Sequence, residues 1–227
     1  MLKAILMDLD NTLYDASAAY RRGEEAAVRF GSDALRISLQ EWGEAWQRGK
    51  ARTKEILQSC AAQHHRLFYI QHALEYLGRS PFEHAEEIYK AYWDAALEGL
   101  CLFEGAEAFL QEAKAKGLKL ALCTDMTAAM QYRKIRKLGL DKYLDALVTS
   151  EEAGVEKPDR KMFELALAKL GVSPAEALMI GDSLSKDVEG AQNIGIRAIW
   201  KANPKAAYAG EYITCYTDGK LRSYCDF

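Results

Sequence analysis

The chain opens on a short, uninterrupted apolar run, Ala4-Ile5-Leu6-Met7, that stops at two carboxylates, Asp8 and Asp10, spaced two residues apart. An apolar run of that length without polar alternation predicts a strand buried on both faces, as in a parallel sheet. After a turn through Asn11 and Thr12 the pattern becomes helical from about Ala16 to about Leu100. Leu39, Trp42 and Trp46 recur at helical spacing, as do Leu67, Ile70, Leu74 and Leu77. Gly31, Gly49, Gly78 and Pro81 read as punctuation that divides this stretch into about four helices, with no strand among them.

From Leu102 the rhythm changes to helix and strand in alternation. Helices are expected from Ala106 to Lys116, Thr127 to Leu138 and Arg160 to Leu170, closed by Gly117, Gly139 and Gly171. Strands are expected from Leu118 to Cys123, Ala146 to Val148, Ala177 to Ile180 and Ile196 to Trp200. A loop is expected from Glu151 to Lys157, Asp159 behind Pro158 is placed to cap the helix at Arg160, and a further helix should run to about Ile194. Beyond Trp200 the pattern weakens to a strand from Tyr212 to Tyr216 and a turn at Thr217-Asp218-Gly219. The apolar, tyrosine-rich tail from Tyr208 to Phe227 could pack on the core or on a partner. Such alternation implies an α/β fold, a Rossmann-like parallel sheet with helices on both faces. The helical stretch is then an all-helical domain, residues 16–100, inserted into a core made of 1–15 and 101–227.

At 227 residues the chain suits one large domain or a domain with an insert. Its 49% hydrophobic and 28% charged residues are those of a soluble globular protein. Thirty basic against thirty-three acidic residues, a net charge of −3, provide no long-range attraction for a nucleic-acid backbone, so nucleic-acid binding is not expected. The cysteines, Cys60, Cys101, Cys123, Cys215 and Cys225, are scattered without a C-x-x-C pair, as in core filler of a reducing compartment. No signal-peptide pattern and no bilayer-spanning run is found, and the expectation is a cytoplasmic protein. No feature of the sequence fixes an oligomeric state.

Candidate chemistry collects after the strands: Asp8 and Asp10 after the first, Thr124 and Asp125 after the second, Asp182 and Ser183 after the fourth, with Lys157 in the loop after the third. Open parallel sheets bind ligands beyond the carboxyl ends of their strands. Two carboxylates held close raise one another's pKa, and a divalent cation reverses that effect, so Asp8 and Asp10 read as a metal or proton-transfer site. The plainer alternative is a strand capped by two solvated acids. Oxygen-rich, sulfur-free ligation suits Mg²⁺, and a site offering both cation ligands and anion-binding groups is most simply a phosphate site.

Four stretches, Asp8-Leu9-Asp10-Asn11-Thr12, Thr124, Lys157-Pro158 and Gly181-Asp182-Ser183 with Asp187, occur in an order that resembles the haloacid dehalogenase superfamily. The resemblance runs from about Leu2 to Trp200, and the helical insert is similar to that family's cap between the first two motifs. It implies that Asp8 is a nucleophile on phosphorus and that Asp10 is the acid for the leaving alkoxide, then the base for water. It further implies that Thr124 and Lys157 hold the phosphoryl group, and that Mg²⁺ sits between Asp8, the main-chain carbonyl of Asp10 and Asp182, with Asp187 nearby or acting through water. Asp125 has two readings, a further group of the phosphate site or a cap on the following helix. Members of the superfamily that cleave carbon–halogen or phosphonate bonds, and its P-type ATPases, lack the carboxylate matching Asp10. Phosphatase or sugar phosphomutase chemistry is therefore implied, with a phosphatase of a small phosphorylated metabolite ahead. Sugar phosphates, nucleoside monophosphates and phosphoglycolate are the substrate types that a covering cap suits. A catalytically silent binding protein on the same scaffold is the third reading; its usual sign, loss of a motif carboxylate or of the lysine, is absent.

Other features read as structure. Gly181-Asp182-Ser183-Leu184-Ser185 lacks the closing glycine of a nucleophile elbow, and Ser183 and Ser185 read as helix caps. His64, His65, His72 and His84 all fall in the insert, away from the motifs. Tyr14, Tyr20, Trp42, Trp46, Tyr89, Tyr92 and Trp93 read as core ahead of a substrate pocket, and Arg48, Lys50, Arg52 and Lys54 as a solvated helix face ahead of an anion site.

Overall fold

The computed structural model describes residues 1–202 and 208–225. It divides into two compact units, Met1–Asp15 with Cys101–Phe227, and Ala16–Leu100.

The first unit is built on a sheet of six strands, β1 (Ala4–Met7), β2 (Lys119–Thr124), β3 (Ala146–Thr149), β4 (Ala177–Gly181), β5 (Arg197–Lys201) and β6 (Tyr212–Ile213), in the order β3-β2-β1-β4-β5-β6. Every pairing is parallel. The apolar run that opens the chain is β1, and all of its residues are fully buried because it lies in the middle of the sheet. Side chains alternate across a strand. Ala4 and Leu6 accordingly join Ala121, Cys123 and Met179 in a core against Met162, Phe163 and Ala166 of helix Arg160–Leu170. On the other side of β2, helix Ala106–Ala115 packs with Phe109, Leu110 and Ala113 buried. The chain goes from β1 to one side of the sheet for β2 and β3, then to the other for β4 and β5. β1 and β4 therefore flank the point where strand order reverses, the place where such sheets form a crevice. Met7 is level with Leu122 on one side and Ile180 on the other, so the residues following all three strands emerge at one edge.

Three local features depart from the sequence pattern. Where a loop was expected, Ser150–Ala153 forms one turn of helix, capped by the Thr149 hydroxyl, which accepts from the Glu152 amide at 3.2 Å. After Asp182 the backbone winds as a π-helix, Leu184–Glu189, before a short α-turn, Gly190–Gln192. The wider turn carries Asp187 back toward the strand ends, where its Oδ2 accepts from the Ser183 amide at 2.9 Å. Thr217-Asp218-Gly219 leads into a helix, Gly219–Tyr224, with Asp218 as its N-cap, and the strand before it has two residues rather than five. That helix is short and is held by burial of Leu221 and Cys225, which leaves no periodic signature to read. The tail packs on its own core: Tyr216 is buried against Phe109, ring centroids 5.6 Å apart, and donates to the Thr12 carbonyl at 3.1 Å. Asp226 and Phe227 lie outside the described residues.

The second unit contains the α-helices Ala16–Leu35, Leu39–Ile56, Arg66–Tyr76 and Ala85–Leu97, with a 3₁₀ turn at Ala61–His64. Two of the expected breaks are not breaks. Gly31 and Gly49 lie inside the first two helices, where each admits a neighbour: the Trp42 indole over Gly31, the backbone of Tyr69 and Ala73 against Gly49. A glycine inside a helix costs about 1 kcal/mol relative to alanine, which close packing here offsets. The interior is aromatic, with Trp46 stacked on Tyr92 at 5.8 Å and edge-on to Tyr69 at 6.2 Å. A buried cation stands among these rings. Arg66 lies 4.6 Å over Tyr20, and its Nε donates to the Tyr92 hydroxyl at 3.1 Å. The basic cluster is a paired helix face: Arg52 meets Glu55 at 3.0 Å, Lys50 meets Glu24 at 3.4 Å, and Arg48 covers the Tyr76 ring. Among the described residues no helix is long and apolar enough to cross a membrane.

Gly49→Ala is expected to destabilise the helical unit by about 1–3 kcal/mol, the usual cost of overpacking, because its Cβ overlaps backbone that cannot swing aside. Thermal melting followed by circular dichroism measures this; an unchanged melt would show that the two helices separate freely.

Candidate active site

Asp8 follows β1 directly, and its amide still donates to the Ile180 carbonyl at 2.9 Å, so it is held as rigidly as the sheet. Its carboxylate is buried, 6% exposed. The Lys157 ammonium, itself buried, lies 2.7 Å from Asp8 Oδ1 and 2.6 Å from Asp187 Oδ1. Thr12 leans across the same group, its hydroxyl 3.3 Å from Asp8 Oδ2 and 3.5 Å from Asp182 Oδ1. One oxygen from each of Asp8, Asp182 and Asp187 lies within 4.8 Å of the others. Gly181 is required beside them, since any Cβ there would overlap the Asp187 carboxylate.

Three carboxylates face one ammonium in this cluster, and the imbalance appears in their proton affinities. Burial, opposed by Lys157 and reinforced by Asp187, Asp10 and Asp182, pushes Asp8 up to about 8. Burial and the neighbouring Asp187 push Asp182 up to about 6. For Lys157, burial alone would lower the pKa, but Asp187 and Asp8 outweigh it and hold the ammonium charged. Surplus negative charge on oxygens at this spacing suits a hard divalent cation, and no sulfur or imidazole belongs to the set.

The remaining expected residues line the same cavity, of about 150 Å³: Thr124, Asp125 and Asp10 are on its wall with Asp8, Lys157, Asp182 and Asp187. Thr124 is buried at the end of β2, and its hydroxyl accepts from Gln131 Nε2 at 2.8 Å. Asp125 is not a helix cap. The N-cap of helix Ala128–Lys137 is Thr127, and the Ala128 amide goes to Glu151 Oε2 at 2.8 Å. Asp125 is instead a strut, accepting from the Lys157 amide at 3.0 Å and from the Lys186 ammonium at 2.8 Å. Ser183 does cap, accepting from the Lys186 amide at 3.2 Å, whereas Ser185 is exposed and makes no such cap.

Asp10 keeps separate company. Its carboxylate lies outside the triad of Asp8, Asp182 and Asp187, so any share it takes in holding a cation falls to its main chain. Both of its oxygens accept from the Lys134 ammonium, at 2.8 and 2.9 Å, and Oδ1 also accepts from the Tyr14 hydroxyl at 2.6 Å. Lys134, Gln131 and Lys186 were not singled out in the sequence. Lys134 hides in the basic run Arg133-Lys134-Ile135-Arg136-Lys137, which reads as the ordinary charge of a last helical turn. The available signal was its i, i+3 spacing from Gln131, since both are buried on one face of a helix that leaves the second motif directly.

Comparison with known proteins yields concordant matches. The family model of the haloacid dehalogenase-like hydrolases matches residues 2–195. The chain is 36% identical over 201 residues to the ribulose-1,5-bisphosphate 5-phosphatase of Halopiger xanaduensis, covering 88% of this chain and 84% of that protein. It is 33% identical over 222 residues to the phosphoserine phosphatase of Thermus thermophilus, covering 88% of each. Among solved structures, a HAD phosphatase from Thermococcus onnurineus superposes with a TM-score of 0.76 at 25% identity, over 99% of this chain and 98% of that one.

The raised carboxylates make a signed prediction for the metal-free protein. Between the ordinary carboxylate value of 3.8 and about 8 the folded state holds protons that the unfolded state has released, so stability contributed by Asp8 and Asp182 falls as pH rises. Asp182→Asn relieves part of the repulsion. With chelator present it is expected to melt above the wild type near pH 8, and the gap is expected to shrink toward pH 4. Melting curves that differ by the same amount at both ends would count against the cluster carrying this charge.

Proposed function

Because the chain belongs to the haloacid dehalogenase-like hydrolases, we propose that it is a phosphatase that hydrolyses the phosphoric monoester of a small metabolite through an aspartyl-phosphate. The observation that carries this reading is the Asp8 carboxylate at the end of the central strand, held against Lys157 in a cavity that also contains Asp10.

An Asp8 oxygen attacks phosphorus, the bond to the leaving oxygen breaks, and that oxygen takes its electron pair and a proton from Asp10 to depart as an alcohol. Water then attacks the phosphorus of the aspartyl-phosphate and gives its proton to Asp10, while the bond to Asp8 breaks and its electrons return to the carboxylate. Inorganic phosphate leaves and both aspartates are restored. Lys157 lies where it can offset charge on the transferring group, and the Thr124 hydroxyl, which accepts from Gln131 at 2.8 Å and donates a long bond of 3.4 Å to the Asp125 carbonyl, would redirect that hydrogen to a phosphoryl oxygen. Asp125 and Lys186 act one step back, by holding the Lys157 main chain in place.

Asp8 and Asp182, with Asp187 directly or through water and the main-chain carbonyl of Asp10, are the groups to hold Mg²⁺. When bound, the ion neutralises phosphoryl charge and lets a carboxylate approach an anionic ester. Transfer to water rather than to a second sugar hydroxyl is favoured because both curated relatives described above are named as phosphatases. We assign residues 16–100 the part of a cap, and with it the selection of the organic group. Sugar phosphates, nucleoside monophosphates and phosphoglycolate remain the substrate types. The free cysteines fit a cytoplasmic protein.

Phosphate release from a panel of phosphorylated metabolites is expected to require Mg²⁺ and to stop on chelation. Asp8→Asn should retain the native circular dichroism and lose activity by about 10³-fold or more, the scale seen when a nucleophile is removed. Full turnover by that variant would overturn the assignment, and a bisphosphorylated sugar intermediate with an isomerised product would point to the mutase.

A further inference from the structure

Lys134 is, among the described residues, the buried ammonium that the chemistry above leaves unused: it is 1% exposed, and Lys157, the other, serves the phosphoryl group. A buried ion pair is seldom a gain in stability over apolar packing of similar volume. Its placement therefore asks for another reason. Helix Ala128–Lys137 starts just after Asp125, and two side chains one turn apart on it reach back to the motif residues. Gln131 donates to the Thr124 hydroxyl and to the Asp125 carbonyl, both at 2.8 Å. Lys134 donates to both oxygens of Asp10, at 2.8 and 2.9 Å.

The surroundings of that ammonium are fixed. Met126 takes a backbone φ of 105°, unusual for a side chain of its size. Its sulfur lies 3.3 Å from Lys134 Nζ, and its amide is tied to the Ser150 hydroxyl at 2.8 Å. Tyr14, 1% exposed, stands 6.0 Å from the ammonium by its ring centroid and 2.6 Å from Asp10 Oδ1 by its hydroxyl. Its backbone is bridged to Leu102, so the phenol is anchored as well. Asp10 thus immediately precedes the turn at Asn11 on its backbone, and its carboxyl group is clamped from two directions by rigid donors.

We propose that Lys134, seconded by Tyr14, is the positioning residue of Asp10, setting the orientation from which Asp10 delivers a proton to the leaving group. The proposal rests on Asp10 being that acid. A misplacement of about 1 Å can cost about 10²-fold in rate, so the clamp acts through geometry while Lys134 itself touches neither phosphate nor leaving group.

The ratio kcat/KM reports steps up to departure of the leaving group, and 4-nitrophenolate departs without a proton whereas an alkoxide does not. Lys134→Met, Tyr14→Phe and Asp10→Asn are compared with wild type on 4-nitrophenyl phosphate and on the best alkyl substrate among glycerol 3-phosphate, ribose 5-phosphate and phosphoserine. Lys134→Met is expected to lose about 30-fold or more on the alkyl ester, with a loss at least about tenfold smaller on the aryl ester, approaching the range of general-acid effects. Tyr14→Phe should shift in the same direction by less, and Asp10→Asn should show the largest difference. Equal losses on both esters for Lys134→Met, while Asp10→Asn still discriminates, would assign Lys134 a structural role and end the proposal. If Asp10→Asn does not discriminate, the acid assignment itself fails and takes the proposal with it. Should Lys134→Met not fold by its melting curve, Tyr14→Phe decides on the same criterion, and equal losses there overturn it.

Discussion

The structure turns on a buried lysine placed between two aspartates. Lys157 meets Asp8 and Asp187 at 2.7 and 2.6 Å, with a third carboxylate, Asp182, in the same cluster. Charges taken out of water are tolerated only when each is paired and held by excellent geometry. Here that geometry is supplied by four separate stretches of chain. β1 delivers Asp8, β4 delivers Asp182, the π-turn after it returns Asp187, and the loop before Arg160 brings Lys157. Any change of strand register would move one member by several Å, since residues along a strand are spaced about 3.3 Å apart. The parallel sheet, with β1 at its centre, is the frame that this charge cluster demands.

Much of this was readable in advance because the relevant signals are local. Ala4 to Met7 reads as a buried strand, and Asp8, Thr124 and Asp182 each stand at or just past the end of an apolar run. What escaped depends on contacts across the fold. Gly31 and Gly49 look like breaks until Trp42 and the Tyr69 backbone are seen to occupy the space they leave. Asp125, next to a helix start, suggests a cap until Lys157 and Lys186 claim both of its oxygens. The π-turn has no sequence period of its own, and its reason is the return of Asp187 to the strand ends. Helix Gly219–Tyr224 is too short to show a periodic face, and of its own residues Leu221 alone is buried.

The helical unit illustrates a different economy. Trp42, Trp46, Tyr92 and Trp93 are each almost fully buried; Tyr92 stacks on Trp46 and meets Trp93 edge-on, and Arg66 lies over the Tyr92 and Trp93 rings within that unit. Aromatic pairs in such arrangements contribute about 0.5–1.5 kcal/mol beyond their buried area. These rings are committed to holding four helices together, so they are not available to line a substrate pocket.

Asp8 and Asp10 are separated by one residue, and each carboxylate pairs with a different ammonium. Asp8 is paired with Lys157 and pushed up by Asp187, Asp10 and Asp182; Asp10 is held by Lys134 and Tyr14. Catalysis by two carboxylates requires such separation, because a nucleophile and a proton carrier need different charge states at the same moment. Sharing one cation would couple their protonation and make each hostage to the other. The turn at Asn11, with its positive φ of 62°, sends the chain away from the sheet just after Asp10, and helix Ala128–Lys137 meets that carboxyl group with a lysine of its own. Two cations from two different elements thus pair separately with neighbouring aspartates on one strand end, as the proposed tasks of nucleophile and acid require.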